Sequence, residues 1–260
     1  MPVREGRGAR LRKRVSASVP TRVEAALAVL AAALLVLSFP DFELWPLAWV
    51  ALAPLFLAIA KRPERGRAFL LGWITGTLFF YGSCYWLTHA MIRYGGIPTG
   101  IAYLLIIPPT VIAGLFPAIC SMLLARVISR WGARALFLAP LLWVTFEWAR
   151  LGLIGQLWNA IGYSQAYITP LIQTARWGGV YAVGFLIVTV NAAIAYALLQ
   201  KKASALKWSA AAILCVAAIV SLSFYKTMKK TSDPGDPLAV VVAVQPNVPM
   251  EEKSLEETAA

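Results

Sequence analysis

Few residues in this sequence could carry chemistry, and Glu147 comes first. It lies in an apolar stretch, Ala135–Trp148, with Arg150 three residues further on. Ionisable groups inside apolar segments are costly and mark functional positions by default. Residues at i and i+3 share a helix face, so the spacing predicts that Glu147 and Arg150 pair near the outer end of that segment. A structural ion pair anchoring a loop would account for them as well as catalysis would, because the pairing itself stabilises both charges. The cysteines are Cys84, Cys120 and Cys215, all in apolar runs and none in a CxxC pair, which suggests neither a disulfide framework nor a zinc site. Cys84 has no cation or base nearby in sequence to form a thiolate, and reads as a small packing residue. The single histidine, His89, cannot build a metal cluster alone and reads as a polar residue at a helix end. There is no GxSxG elbow, and no histidine stands beside a serine. Catalytic residues, metal ligands and cofactors are therefore all assigned as none.

The elements that must position these residues follow from composition. Of the 260 residues, 60% are apolar or aromatic and 14% are charged. A soluble domain has roughly 45–50% apolar and about 25% charged residues, so the natural solvent here is a bilayer. Seven apolar runs are long enough, or nearly so, to cross the roughly 30 Å hydrocarbon layer as helices. They are Val23–Phe39, Leu44–Ala60, Ala68–Leu87, Gly100–Ala125, Ala135–Trp148, Trp177–Leu199 and Leu206–Tyr225. The Gly72/Gly76 pair in the third run has the GxxxG spacing of close helix packing. The first 22 residues are basic and lead straight into a span, without the cleavage pattern of a signal peptide.

Net charge is +12, from 24 Lys and Arg against 12 Asp and Glu. The basic residues sit in short clusters between apolar runs, which argues against nucleic acid as a partner and for orientation in a membrane. Alternating the loops places seventeen basic residues on the side of the amino terminus and seven on the other. Positive loops stay in the cytoplasm, so the amino terminus is expected inside and the carboxyl terminus outside. Two outer loops stand out. His89–Pro98 carries Arg93, Tyr94 and Gly95–Gly96, and Arg150–Arg176 carries Trp158, Asn159, Tyr163 and Gln165. Their aromatic, small and amide residues suit a re-entrant or interfacial segment, or an aromatic belt.

The expected organisation is a basic tail (1–22), a helical bundle (23–225), a linker (226–237) and the start of a further domain (238–260). Within the last, Leu238–Val244 is a run of apolar and mostly β-branched residues bounded by Pro and Gly, which predicts a buried strand. The fold class is an all-α polytopic membrane bundle followed by the first strand of an α/β domain.

Several stretches, taken in order, resemble the apolipoprotein N-acyltransferase family. They are Phe39–Leu55 (FPDFELWPLAWVALAPL), Gly72–Leu87 (GWITGTLFFYGSCYWL), Arg93–Pro98 (RYGGIP), Glu147–Arg150 (EWAR) and Leu157–Gln165 (LWNAIGYSQ). Pro170–Ala195 and Val241–Pro249 (VVAVQPNVP) complete the set. The resemblance implies a bacterial inner-membrane bundle carrying a nitrilase-like α/β domain on its extracytoplasmic side. It implies acyl transfer from a membrane phospholipid, through a thioester on a cysteine, to the amine of a diacylglyceryl apolipoprotein. The Glu-Lys-Cys triad of such enzymes lies in the nitrilase-like domain, and this sequence stops at Ala260, before that region. Ser254 also stands where many members have a tryptophan after the lysine matching Lys253. For the membrane portion, the resemblance points to Glu147, Arg150, Trp158, Asn159, Tyr163 and Gln165 as the floor of a substrate cleft. Two other readings compete. One is a transporter, against which no internal repeat is found. The other is a non-catalytic membrane anchor or scaffold.

Overall fold

The computed structural model describes residues 18–231 and residue 242. The expected strand Leu238–Val244 lies outside the described residues, Val242 excepted, as does nearly all of the basic tail. The described residues are helical and contain no strand.

Helix α1 (Arg22–Leu37) starts at a capping box in which Thr21 and Glu24 satisfy each other's backbone N–H groups. The second apolar run is not one helix. It divides into a 3₁₀ turn (Trp45–Leu47), α2 (Ala48–Ala51) and α3 (Ala53–Lys61). Pro54 has no N–H to give, and the helix breaks at Leu52 just before it. The freed backbone is satisfied from across the bundle by Asn191, a fully buried residue. Its Oδ1 accepts from Leu52 N at 2.8 Å and Ala53 N at 3.0 Å, while its Nδ2 donates to Ala48 O at 2.8 Å.

Next come α4 (Arg65–Ser83), α5 (Leu87–Arg93), α6 (Thr99–Leu105), α7 (Ile107–Ala113) and α8 (Leu115–Trp131). Helices α4 and α5 are bent by 45° across their junction. Helices α6 to α8 form a single 33-residue apolar segment, and it is segmented around the prolines at 108, 109 and 117, which lack the N–H of a regular helix. A 3₁₀ turn (Ala133–Leu138) leads into α9 (Ala139–Ile154). Three short elements follow: a 3₁₀ turn (Ile161–Gln165), α10 (Thr169–Ile172) and a 3₁₀ turn (Gln173–Trp177). Two further helices follow, α11 (Gly179–Gln200) and α12 (Ala203–Thr231). Helix α12 continues past Tyr225, where the apolar run ends, because Lys and Met are good helix formers and cations suit a helix C-terminus.

Four helical segments are long and apolar enough to cross a bilayer: Thr99–Trp131, Ala133–Ile154, Gly179–Gln200 and Ala203–Lys229. Counting α4 and α5 as one bent span raises the number to five. The two N-terminal runs expected to span are helical but shorter. Helix α1 has 16 residues, about 24 Å at 1.5 Å per residue.

The core is built on small residues. Ala28, Ala31 and Ala32 of α1 and Ala192, Ala193 and Ala195 of α11 are buried, with Leu35, Leu55, Phe56 and Ile187 between them. The Gly72/Gly76 pair does what its spacing suggested. A Cβ on Gly72 would stand 2.5 Å from Pro117 O, and one on Gly76 would stand 3.0 Å from Gly114 Cα, so α4 and α8 touch backbone to backbone. The outer surface is apolar as well. Leu206, Trp208, Leu214 and Leu222 of α12 are all more than half exposed, which suits lipid tails rather than water.

Candidate functional site

The expected Glu147–Arg150 ion pair is not made. Among the described residues the ion pairs found join Glu24 to Arg62 and Arg67, at 3.8 Å each. Glu147 and Arg150 are both buried on α9, yet each serves the loop that follows. Glu147 Oε1 accepts from Ile161 N at 2.8 Å and from Trp143 Nε1 at 3.0 Å. Arg150 donates to Trp158 O at 2.7 Å, with its guanidinium 4.9 Å from the centre of the Phe80 ring. The physical reason is that buried backbone groups cost more unpaired than the two charges gain by meeting. Helix α9 itself runs on to Ile154, which puts Arg150 within the helix rather than in the loop.

The loop between these clamps is shaped by its own residues. Gly155 closes α9 in the left-handed region, with φ of 69°, where glycine is unstrained. Asn159 also has positive φ, 57°, which asparagine tolerates better than other non-glycine residues. Its Nδ2 donates to Ser83 Oγ at 2.8 Å and lies 3.0 Å from Cys84 Sγ, tying the loop to the end of α4. Gly162 lets the following turn rest directly on α11. A Cβ there would stand 2.4 Å from Val180 O. Gly184 faces it, and a Cβ at that position would lie 3.4 Å from Glu147 Oε2, an oxygen that is buried without a hydrogen-bond partner.

Gln165 ends the turn, and it is fully buried. Its Nε2 donates to Trp45 O at 3.1 Å and Ser164 Oγ at 2.9 Å, and its Oε1 accepts from Trp49 Nε1 at 3.3 Å. The loop is thus held to α4, α9, α11 and the broken second run. Two aromatic side chains remain outward, Trp158 at 43% exposure and Tyr163 at 44%. Trp158 meets Trp86 edge to face, with ring centres 5.3 Å apart.

Beside this loop is a cavity of about 110 Å³, lined by Cys84, Leu87, Ile106, Thr110, Arg150 and Trp158 among others. A smaller one of about 20 Å³ lies under it, where Glu147, Cys120 and Trp143 meet the aromatic rings of α4. The site is an apolar recess with one aromatic wall and a rigid polar rim. Asn159 is no base for the Cys84 thiol, and no cluster of His, Cys, Asp or Glu able to hold a metal occurs among the described residues.

Of the six residues singled out from the sequence, Glu147, Arg150, Trp158 and Asn159 converge directly. Gln165 anchors the far end of the same loop, and Tyr163 stands on its outer surface. Sequence reasoning missed Ser83, Trp143 and Asn191. Trp143 precedes Glu147 by four residues on one helix face, and Asn191 is an amide in the middle of a 22-residue apolar helix. Both signals were there to be used.

A helical bundle suited to a bilayer, with a pinned aromatic loop beside an apolar recess, defines a multi-pass membrane protein. Comparison with known proteins gives the family. Residues 31–193 match the apolipoprotein N-acyltransferase N-terminal domain, and the chain belongs to that family. It is 40% identical over 166 residues to the apolipoprotein N-acyltransferase of Geobacter metallireducens, a match covering 64% of this chain and 32% of that protein. With the Chromobacterium violaceum enzyme of the same name it shares 32% over 183 residues, 69% of this chain and 35% of the relative. The Chlorobaculum tepidum enzyme is 28% identical over 234 residues, 87% of this chain and 42% of the relative. The chain therefore spans between about a third and two fifths of the length of the curated relatives it matches.

Proposed function

We propose that this chain is the membrane portion of an apolipoprotein N-acyltransferase, which transfers an acyl chain from a phospholipid to the N-terminal amine of S-diacylglyceryl-cysteine in lipoproteins. The observation that carries this reading is the loop Leu157–Gln165. Its polar groups are used up in holding the loop in place, while Trp158 lines a recess of about 110 Å³ and Tyr163 stands exposed on the outer surface of the same loop. In this reading Glu147, Arg150, Asn159 and Gln165 are positioning residues. Trp158 and Tyr163 contact the acyl chains of the phospholipid donor and the diacylglyceryl acceptor. The bundle crosses a bacterial inner membrane seven times, α1 and the α2–α3 run included, with the amino terminus in the cytoplasm. Supporting this orientation is the excess of seventeen basic residues over seven on alternate loops. The nucleophile belongs to a nitrilase-like domain outside the cytoplasm.

The test uses the full-length protein in membranes, with a fluorescent diacylglyceryl peptide as acceptor. Trp158→Ala and Tyr163→Ala should each lower turnover about tenfold, the loss of roughly one well-packed aromatic contact, with insertion and expression unchanged. Unchanged turnover in both variants overturns the assignment.

A further inference from the structure

A second and larger feature lies elsewhere on the bundle. A groove of about 670 Å³ runs between α9, α11 and α12, within the range of about 300–1,000 Å³ usual for ligand sites. It shares no lining residue with the recess beside Cys84. Its walls are apolar: Val144, Ala182, Phe185, Leu186, Ile219 and Leu222. From Gly178 to Leu186 it follows α11 for about 12 Å at 1.5 Å per residue, enough for much of one acyl chain.

One end of the groove is different. Trp177, 65% exposed, has the Lys226 ammonium and the Arg176 guanidinium each 5.7 Å from its ring. Two cations thus stand against one aromatic ring, and among the described residues neither has a carboxylate partner. The neighbouring hydroxyls are already engaged. Ser223 Oγ accepts from Trp177 Nε1 at 3.3 Å, and Thr174 Oγ1 donates to Leu171 O at 2.8 Å. Tyr181 on the same wall keeps a buried hydroxyl without a partner, and the two exposed donors at the mouth are cationic, so the group that complements them is an anion.

We propose that this groove is a binding site for a glycerophospholipid, with one acyl chain along α11 and the phosphodiester between Lys226 and Arg176. A free phosphate would leave the apolar walls uncovered, and an uncharged lipid would leave the two cations unanswered. The site requires that the bundle lie in a bilayer, and does not depend on acyl transfer.

The experiment uses full-length protein in phosphatidylethanolamine vesicles carrying a trace of phosphatidylglycerol with a photoactivatable diazirine in its acyl chain. A matching diazirine diacylglycerol, lacking phosphate, serves as control. The expected result is labelling concentrated at Phe185–Leu186 and Ile219–Leu222. Lys226→Glu should lower it about five-fold or more for the phospholipid and leave the diacylglycerol unchanged. Leu222→Trp, which fills the groove, should lower both. Labelling spread evenly over all lipid-facing helices overturns the proposal, as does an equal response of both probes to Lys226→Glu. So does an unlabelled groove found cross-linked to another protein segment. Trp158→Ala should leave the labelling intact whatever it does to turnover, which keeps this test separate from that of the proposed activity.

Discussion

Helix α4 joins two regions that use the same pair of residue types in opposite ways. In its first turn, Arg67 is 1% exposed and meets Glu24 at 3.8 Å, with Arg62 at the same distance from the same carboxylate oxygen. Glu24 also caps α1, so the three charges bind the starts of α1 and α4 and the end of α3 into one lock. At the last residue of α4, about 24 Å away, Ser83 meets Asn159. There Glu147 and Arg150 make no direct ion pair and instead hold the backbone at Ile161 and Trp158. Opposite charges that meet directly fix helices to one another. A divided pair fixes a loop, and a substrate contact can then be built on that loop.

Neutral isosteres separate the two arrangements most sharply. Glu24→Gln should cost about 3 kcal/mol, since it removes the carboxylate that meets the buried Arg67. Glu147→Gln keeps an acceptor for Ile161 N and Trp143 Nε1 and should cost less than about 1.5 kcal/mol. Thermal unfolding of the purified protein in one detergent reads both. Equal losses would erase the distinction. Removing the acceptor altogether, with Glu147→Ala, strands two buried donors and should cost about 2–3 kcal/mol. Protease should then cut within residues 155–165 well before global unfolding.

Gly162→Ala tests the docking of the loop rather than its clamps. The new methyl would sit 2.4 Å from Val180 O, and the expected cost is about 2 kcal/mol, with acyl transfer in the full-length protein falling alongside. The smallest effect belongs to the Arg67 end. Although partial burial opposes it, the backbone N–H groups of Arg67 and Gly66 hold the Glu64 carboxyl below its ordinary value of 4.5. A depressed carboxyl stabilises the fold above its unfolded value, and that contribution disappears as pH falls through the folded value. Glu64→Ala should cost about 1 kcal/mol at pH 7 and flatten the stability profile below about pH 4.5.

How much of this was legible depended on range. The apolar runs became helices because twenty apolar residues in sequence are a local fact, and the Gly72/Gly76 spacing announced close packing. The division of the second run was foreshadowed by Pro54, but the donor to its freed carbonyl was not, because Asn191 lies far along the chain. Arg67 lies in the basic cluster between the second and third apolar runs, and sign alone says nothing about its burial. Glu147 and Arg150 stand out in the sequence, but their spacing predicts a pair that does not form: sharing a helix face is readable from spacing, whereas the competing claim of Ile161 N and Trp158 O depends on how the loop folds back. Asn159 was noticed for its composition, and its bond to Ser83, 76 residues away, could only be seen in three dimensions.

The stitch made by Asn191 has a consequence for synthesis. Leu52 N finds its acceptor 139 residues later in the chain. At about 5–20 residues per second, the nascent second segment waits about 7–28 s at the ribosome before the amide that mends it has been made. During that interval its open backbone must be kept wet or covered by the insertion machinery, so Asn191→Leu should show first as a defect in biogenesis, before any loss in the finished protein.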